Sequence, residues 1–136
     1  MTPTHFALLG FVAWTLTLLM CIGITRVGLV VAGKRSSGSF KPDGDDFTGI
    51  GKRLTRAQAN CYENLPAAGA LMLYAITTGQ TGVTDGLAYV FLGARLLQSL
   101  AHLISTSRLF ITIRLVFFVT QVLIMFSWLL KFLNTL

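Results

Sequence analysis

Arg53, Arg56, Asn60, Glu63 and Asn64 stand in a segment, RLTRAQANCYENLPAAGALMLYAITT, that is otherwise largely apolar. Wound as a helix at 100° per residue, these five positions fall within about a third of the circumference. The strip offers guanidinium, amide and carboxylate groups side by side, a set suited to gripping a small polar anion. At about 1.5 Å per residue, Glu63 lies on the order of 15 Å along the axis from Arg53. A carboxylate that deep in an apolar run is costly unless it is paired or wet, so the sequence calls for a partner. Pro66 lacks an N–H and crowds the carbonyl of Tyr62, which predicts a kink beside the strip.

A second stretch supplies Arg95, Gln98 and His102 at i, i+3 and i+7, again on one face. Arg95 is the expected partner of Glu63, either as part of a ligand site or as glue between helices. His102, near the end of its run, reads as a site residue or as a packing residue. Farther on, Arg114 and Gln121 share a stripe seven residues apart, and Gln98 and Gln121 are able to bond across helices. Cations outnumber the one carboxylate within these runs, and the surplus points to an anionic ligand.

The elements that must carry these residues are membrane helices. Of 136 residues, 54% are hydrophobic and 12% charged, too apolar for a soluble domain of this size. Four runs approach the roughly 20 apolar residues that a span needs. Expected spans are about 6–32, 52–79, 84–104 and 109–133, in one integral membrane domain covering 1–136. The fold class expected is therefore all-α, a four-transmembrane-helix bundle. The first run has neither a basic start nor a small-residue cleavage site and reads as a retained span.

The one long connection, Gly33 to Gly51, is rich in Gly, Ser and Asp and reads as a surface loop. Lys34, Arg35 and Lys41 lie in it and Lys52, Arg53 and Arg56 follow it, on the same side as Arg108. The other side holds Asp85 and Lys131. This asymmetry puts loops one and three in the cytoplasm and both termini outward. Cys21 and Cys61 match no zinc or redox spacing, and no metal is expected. The net charge of +6 marks topology and makes no nucleic-acid module.

The signature Arg53, Arg56-Ala57, Asn60, Glu63-Asn64 and Pro66 resembles the second helix of the MAPEG family, the membrane-associated proteins in eicosanoid and glutathione metabolism, particularly bacterial-type microsomal glutathione transferases. The resemblance covers essentially the whole chain. It implies a homotrimer with glutathione, as co-substrate, held between subunits toward the cytoplasmic side. It assigns glutathione contacts to the positions matching Arg56, Asn60 and Glu63, with Arg53, Asn64, Arg95, Gln98 and His102 in the same site. It implies that an arginine near the start of the fourth helix activates the thiol, which matches Arg114, with Arg108 as the alternative. The family often has a tyrosine on helix three where this chain has Gln98 or His102, and the connection from His102 to Arg114 reads as longer than in the eicosanoid synthases. The activity implied is a membrane-bound glutathione transferase or peroxidase acting on a lipophilic electrophile or lipid hydroperoxide from the bilayer. Two competitors remain: a non-catalytic lipid-binding member of the family, and a small multidrug transporter. The transporter ranks last, because the first span has no carboxylate and the strip is rich in arginine.

Overall fold

The computed structural model of the chain describes residues 1–47 and 49–136. Among these, four long helices follow one another: α1 (Pro3–Val31), α2 (Ile50–Thr77), α3 (Asp85–Ile104) and α4 (Arg108–Leu133), with a short 3-10 turn, Thr81–Val83, ahead of α3. No strand occurs among the described residues. α1, α3 and α4 are each long and apolar enough to cross a bilayer. α2 is long enough but does not join them, since Lys52, Arg53, Arg56, Glu63 and its two asparagines dilute its apolar content. The expectation of four spans is thus met by three on apolarity, and the polar strip is the reason for the shortfall.

Helix ends follow from local sequence. Pro3 occupies the first position of α1, where a missing N–H costs nothing. The next residue, Thr4, donates its N–H and its hydroxyl to Asp85 Oδ1 at 3.0 and 2.6 Å. One carboxylate at the start of α3 therefore caps α1 and ties the two N-termini together, with its charge at the positive end of both helices. α2 ends in a Schellman pattern: Gln80 N–H bonds Ala75 O, Gly79 N–H bonds Ile76 O, and Gly79 takes φ +69°. α1 ends on the equivalent pair of bonds, from Lys34 to Leu29 and from Gly33 to Val30.

Small residues let the helices approach. Ala57, Cys61, Ala68 and Ala75 of α2 belong with Ala7 of α1 and Ala88 of α3 to one buried cluster, the small-residue packing usual where lipid gives no hydrophobic drive. Aromatic rings fill the remaining space, with Phe11 and Phe91 centroids 5.8 Å apart and Phe91 and Trp128 centroids 5.5 Å apart. Outward positions are apolar as well: Leu16, Leu19, Met20 and Ile24 on α1, and Val116, Leu123, Phe126 and Leu130 on α4, are all exposed. A surface of that kind suits hydrocarbon rather than water.

The connection after α1 is more ordered than its composition implies. Arg35 pairs with Asp46 at 2.7 Å, donates to Ser39 O at 2.7 Å and lies 4.5 Å from the Phe40 ring centroid. Arg26 reaches from α1 to Lys41 O at 3.1 Å. Gly44 packs so closely on α2 that a Cβ there would lie 2.7 Å from the Thr55 side chain. The loop is thereby docked on the first turns of α2. The other connections are short, and only residues 105–107 separate α3 from α4. The His102 to Arg114 stretch that reads as a long connection is mostly helix, because α3 continues past His102 and α4 begins at Arg108.

Candidate functional site

Arginines collect at the end of the bundle where α2 and α4 begin and α3 finishes. Arg53 sends Nε to Leu103 O at 2.9 Å, so it satisfies one of the carbonyls that the last turn of α3 leaves open. Beside it, Gly49, Lys52, Arg53, Arg56 and Thr106 line a cavity of about 330 Å³. Arg56 is exposed there. Among the described residues, ion pairs occur only at Arg35–Asp46 and Lys52–Asp45. Arg53, Arg56, Arg95, Arg108 and Arg114 thus have no carboxylate partner among those residues.

Deeper in, Arg95 is fully buried. Its Nη1 donates to the Asn60 side-chain oxygen, and its guanidinium carbon lies 5.3 Å from the Phe11 ring centroid, a cation–π contact. Its Nε and Nη2 have no hydrogen-bond partner among the described residues. The expected Glu63–Arg95 pair does not form. Glu63 is exposed on the outer face of α2, and Asn60, one turn earlier, takes Arg95 instead. The physical reason is angular: on the helix Asn60 turns partway toward α3, whereas Glu63 turns outward with Tyr62. Asn64 donates back to Asn60 O at 3.2 Å along its own helix.

The residues of α3 and α4 separate into two groups. Gln98 and Gln121 bond each other at 2.8 Å and are buried, Gln98 being 2% exposed and Gln121 fully enclosed, so their stripes meet inside the bundle. His102 and Arg114 meet nearer the cavity end, with Arg114 Nη1 2.9 Å from His102 Nδ1 and Arg114 Nε donating to Phe110 O at 3.3 Å. The charges of Arg56 and Arg95 also reach His102. Arg108, by contrast, is exposed at the start of α4, and its side chain has no hydrogen bond among the described residues. Three features escape a reading by spacing: the Phe11 ring against Arg95, the Cys61 Sγ contact with Ser99 Oγ at 3.2 Å, and Lys52 with Thr106 as cavity lining. Lys52 was visible as a basic residue beside the strip, whereas nothing in the α1 pattern distinguishes Phe11.

Two further cavities are apolar and open between α2 and α4. One of about 180 Å³ is lined by Ala67, Leu71, Val122, Met125, Phe126 and Leu129. The other, about 280 Å³, lies toward the C-terminus against Tyr74 and Phe132. No group of His, Cys, Asp or Glu able to hold a metal occurs among the described residues.

Long apolar helices around a group of arginines that lack carboxylate partners among the described residues mark a helical membrane protein. A family model described as the MAPEG family matches residues 4–134, and the chain belongs to that family. No curated protein and no solved structure matches it.

Proposed function

We propose that the protein is a membrane-bound glutathione transferase or peroxidase, with α2 as a fourth span and the site completed by neighbouring copies in a homotrimer. The observation that carries this reading is a cavity lined by Arg53, Arg56 and Lys52, in which neither arginine has a carboxylate partner among the described residues, with Arg114 held on His102 toward the same end of the bundle. Such a concentration of uncompensated charge destabilises the bundle unless an anion occupies it. Glutathione brings two carboxylates and an ionisable thiol. Arg53 and Arg56 are suited to the carboxylates, because guanidinium binds carboxylate in a fork, and the Asn60 amide is suited to the peptide groups.

Arg114 is the residue we assign to the sulfur. A free thiol has a pKa near 8.5 and is mostly protonated at neutral pH; a guanidinium beside it favours the thiolate, more strongly where water is excluded. The thiolate then attacks carbon in a lipophilic electrophile, forming the C–S bond as the leaving group departs with its electron pair. With a hydroperoxide it attacks the terminal oxygen. The resulting sulfenic acid condenses with a second glutathione to disulfide and water, and the alkoxide takes a proton. The apolar cavities between α2 and α4 are suited to a lipophilic partner within the bilayer, farther along the bundle than the arginines.

Those same cavities favour a second reading, a family member that binds lipid without turnover. The deciding experiment is an ultraviolet difference titration of the detergent-purified protein with glutathione, with Arg114→Ala alongside and calorimetry for affinity. A saturable thiolate band that the variant lacks supports the enzyme. Absence of both band and binding supports the lipid-binding protein.

A further inference from the structure

Arg114 is held by an unusual partner. The obvious way to fix a guanidinium is a carboxylate, yet a carboxylate would also neutralise it. Here Nη1 meets the Nδ1 atom of His102 at 2.9 Å, while Nε is tied to Phe110 O at 3.3 Å. Arginine nitrogens only donate, so the contact requires a bare lone pair on Nδ1 and places the ring proton on Nε2. The charges facing the ring are Arg114 from α4, Arg95 from α3 and Arg56 from α2. Arg53 is close as well, bonded to the carbonyl of Leu103, the next residue.

We infer that His102 is the positioning residue for Arg114, a neutral acceptor that fixes the guanidinium against repulsion from Arg56 while leaving its full charge for an anion. The inference rests on the assignment of Arg114 to the thiol made above. Arg114 Nη2 has no hydrogen bond among the described residues, and it is the donor left for sulfur once the other two nitrogens are fixed. Protonation of His102 turns the acceptor into a cationic donor and breaks the contact, so activity that depends on it falls as pH is lowered.

The test is a substitution series with the thiolate band of bound glutathione, kcat and affinity as readouts. In His102→Asn the amide oxygen falls near the place of Nδ1 and keeps an acceptor; in His102→Gln it falls near Nε2 and does not; His102→Leu removes it. Loss of a hydrogen bond to a charged group corresponds to about tenfold or more, so His102→Leu and His102→Gln should lower the thiolate band and kcat by about that factor, with the glutathione Kd within about twofold of wild type. His102→Asn should restore most of the loss, and both it and wild type keep the acid limb set by protonation of the thiolate. A leucine variant with an undiminished thiolate band, or an asparagine variant as impaired as the glutamine one, overturns the proposal. Should the leucine variant not fold, the asparagine and glutamine pair decides alone. If Arg114→Ala itself keeps the band, the assignment of Arg114 fails, and that result is separate from any effect at His102.

Discussion

Among the arginines, Arg114 and Arg108 were the two candidates for one chemical role, and their surroundings separate them. Arg114 is half-buried and fixed by two hydrogen bonds, whereas Arg108 is exposed and unattached. Arg114→Ala should therefore lower kcat on the order of a hundredfold or more, the scale set by removal of one donor at a developing charge, with little change in glutathione affinity. Arg108→Ala should leave kcat within a factor of about two, and steady-state kinetics with a model aryl halide would check both. Equal losses would sink the distinction. Sequence spacing singles out Arg53, Arg56, Asn60, Arg95 and Arg114 as candidates, because a charge or amide inside an apolar run is conspicuous. It misassigned the partner of Glu63, because a helical wheel places Asn60 and Glu63 about 60° apart on one helix but does not say which of the two meets the neighbouring helix. Asn60 and Glu63 share one broad face, yet only Asn60 meets α3.

Helices were legible as elements for a related reason: long apolar runs bounded by glycine, proline and charge admit few readings. The docked loop was not, because its order comes from contacts between distant residues. Gly44 on Thr55 is a contact of this kind, as is the Arg35 guanidinium between Asp46 and the Phe40 ring. Gly44→Ala should loosen the loop by about 1–2 kcal/mol, since it adds a clash where φ is already positive; faster tryptic cleavage after Lys34 or Arg35, with helix content unchanged, would register it. Acid should act on the same element. Partial burial works to raise the Asp46 carboxyl, but N–H groups of Lys41 and Asp46 itself and the Arg35 side chain outweigh it and hold the group below its ordinary value. A carboxylate depressed in the folded loop contributes order that is complete above its unfolded pKa of about 3.9 and is lost as pH falls through the lower folded value. Cleavage of the loop by an acid-active protease, followed at each pH, should speed up below that range, and tryptic cleavage should be constant in this respect between pH 5 and 8.

At the scale of the molecule, the exposed Glu63 and Arg56 pose a problem that one chain leaves open. Both lie on the outer side of α2, with Glu63 about 20 Å along the helix from Ile50, and neither has an ion partner among the described residues. If further copies cover that face, Glu63→Leu should weaken assembly, and native mass spectrometry should show trimer in the wild type giving way to smaller species. A wild type that is monomeric under mild detergent would overturn the trimer. The distribution of charge along the bundle has another consequence. Lys34, Arg35, Lys41, Lys52, Arg53, Arg56 and Arg108 crowd the end where the 330 Å³ cavity opens, against Lys131 and Asp85 at the other. An anionic reactant dissolved in water is drawn toward that mouth before it touches any side chain, and dissolved ions weaken the pull within about 10 Å at 0.1 M. Added salt should therefore lower kcat/KM for the water-soluble partner while sparing kcat, and the partner delivered through the lipid should be indifferent to it: one protein, two diffusional regimes.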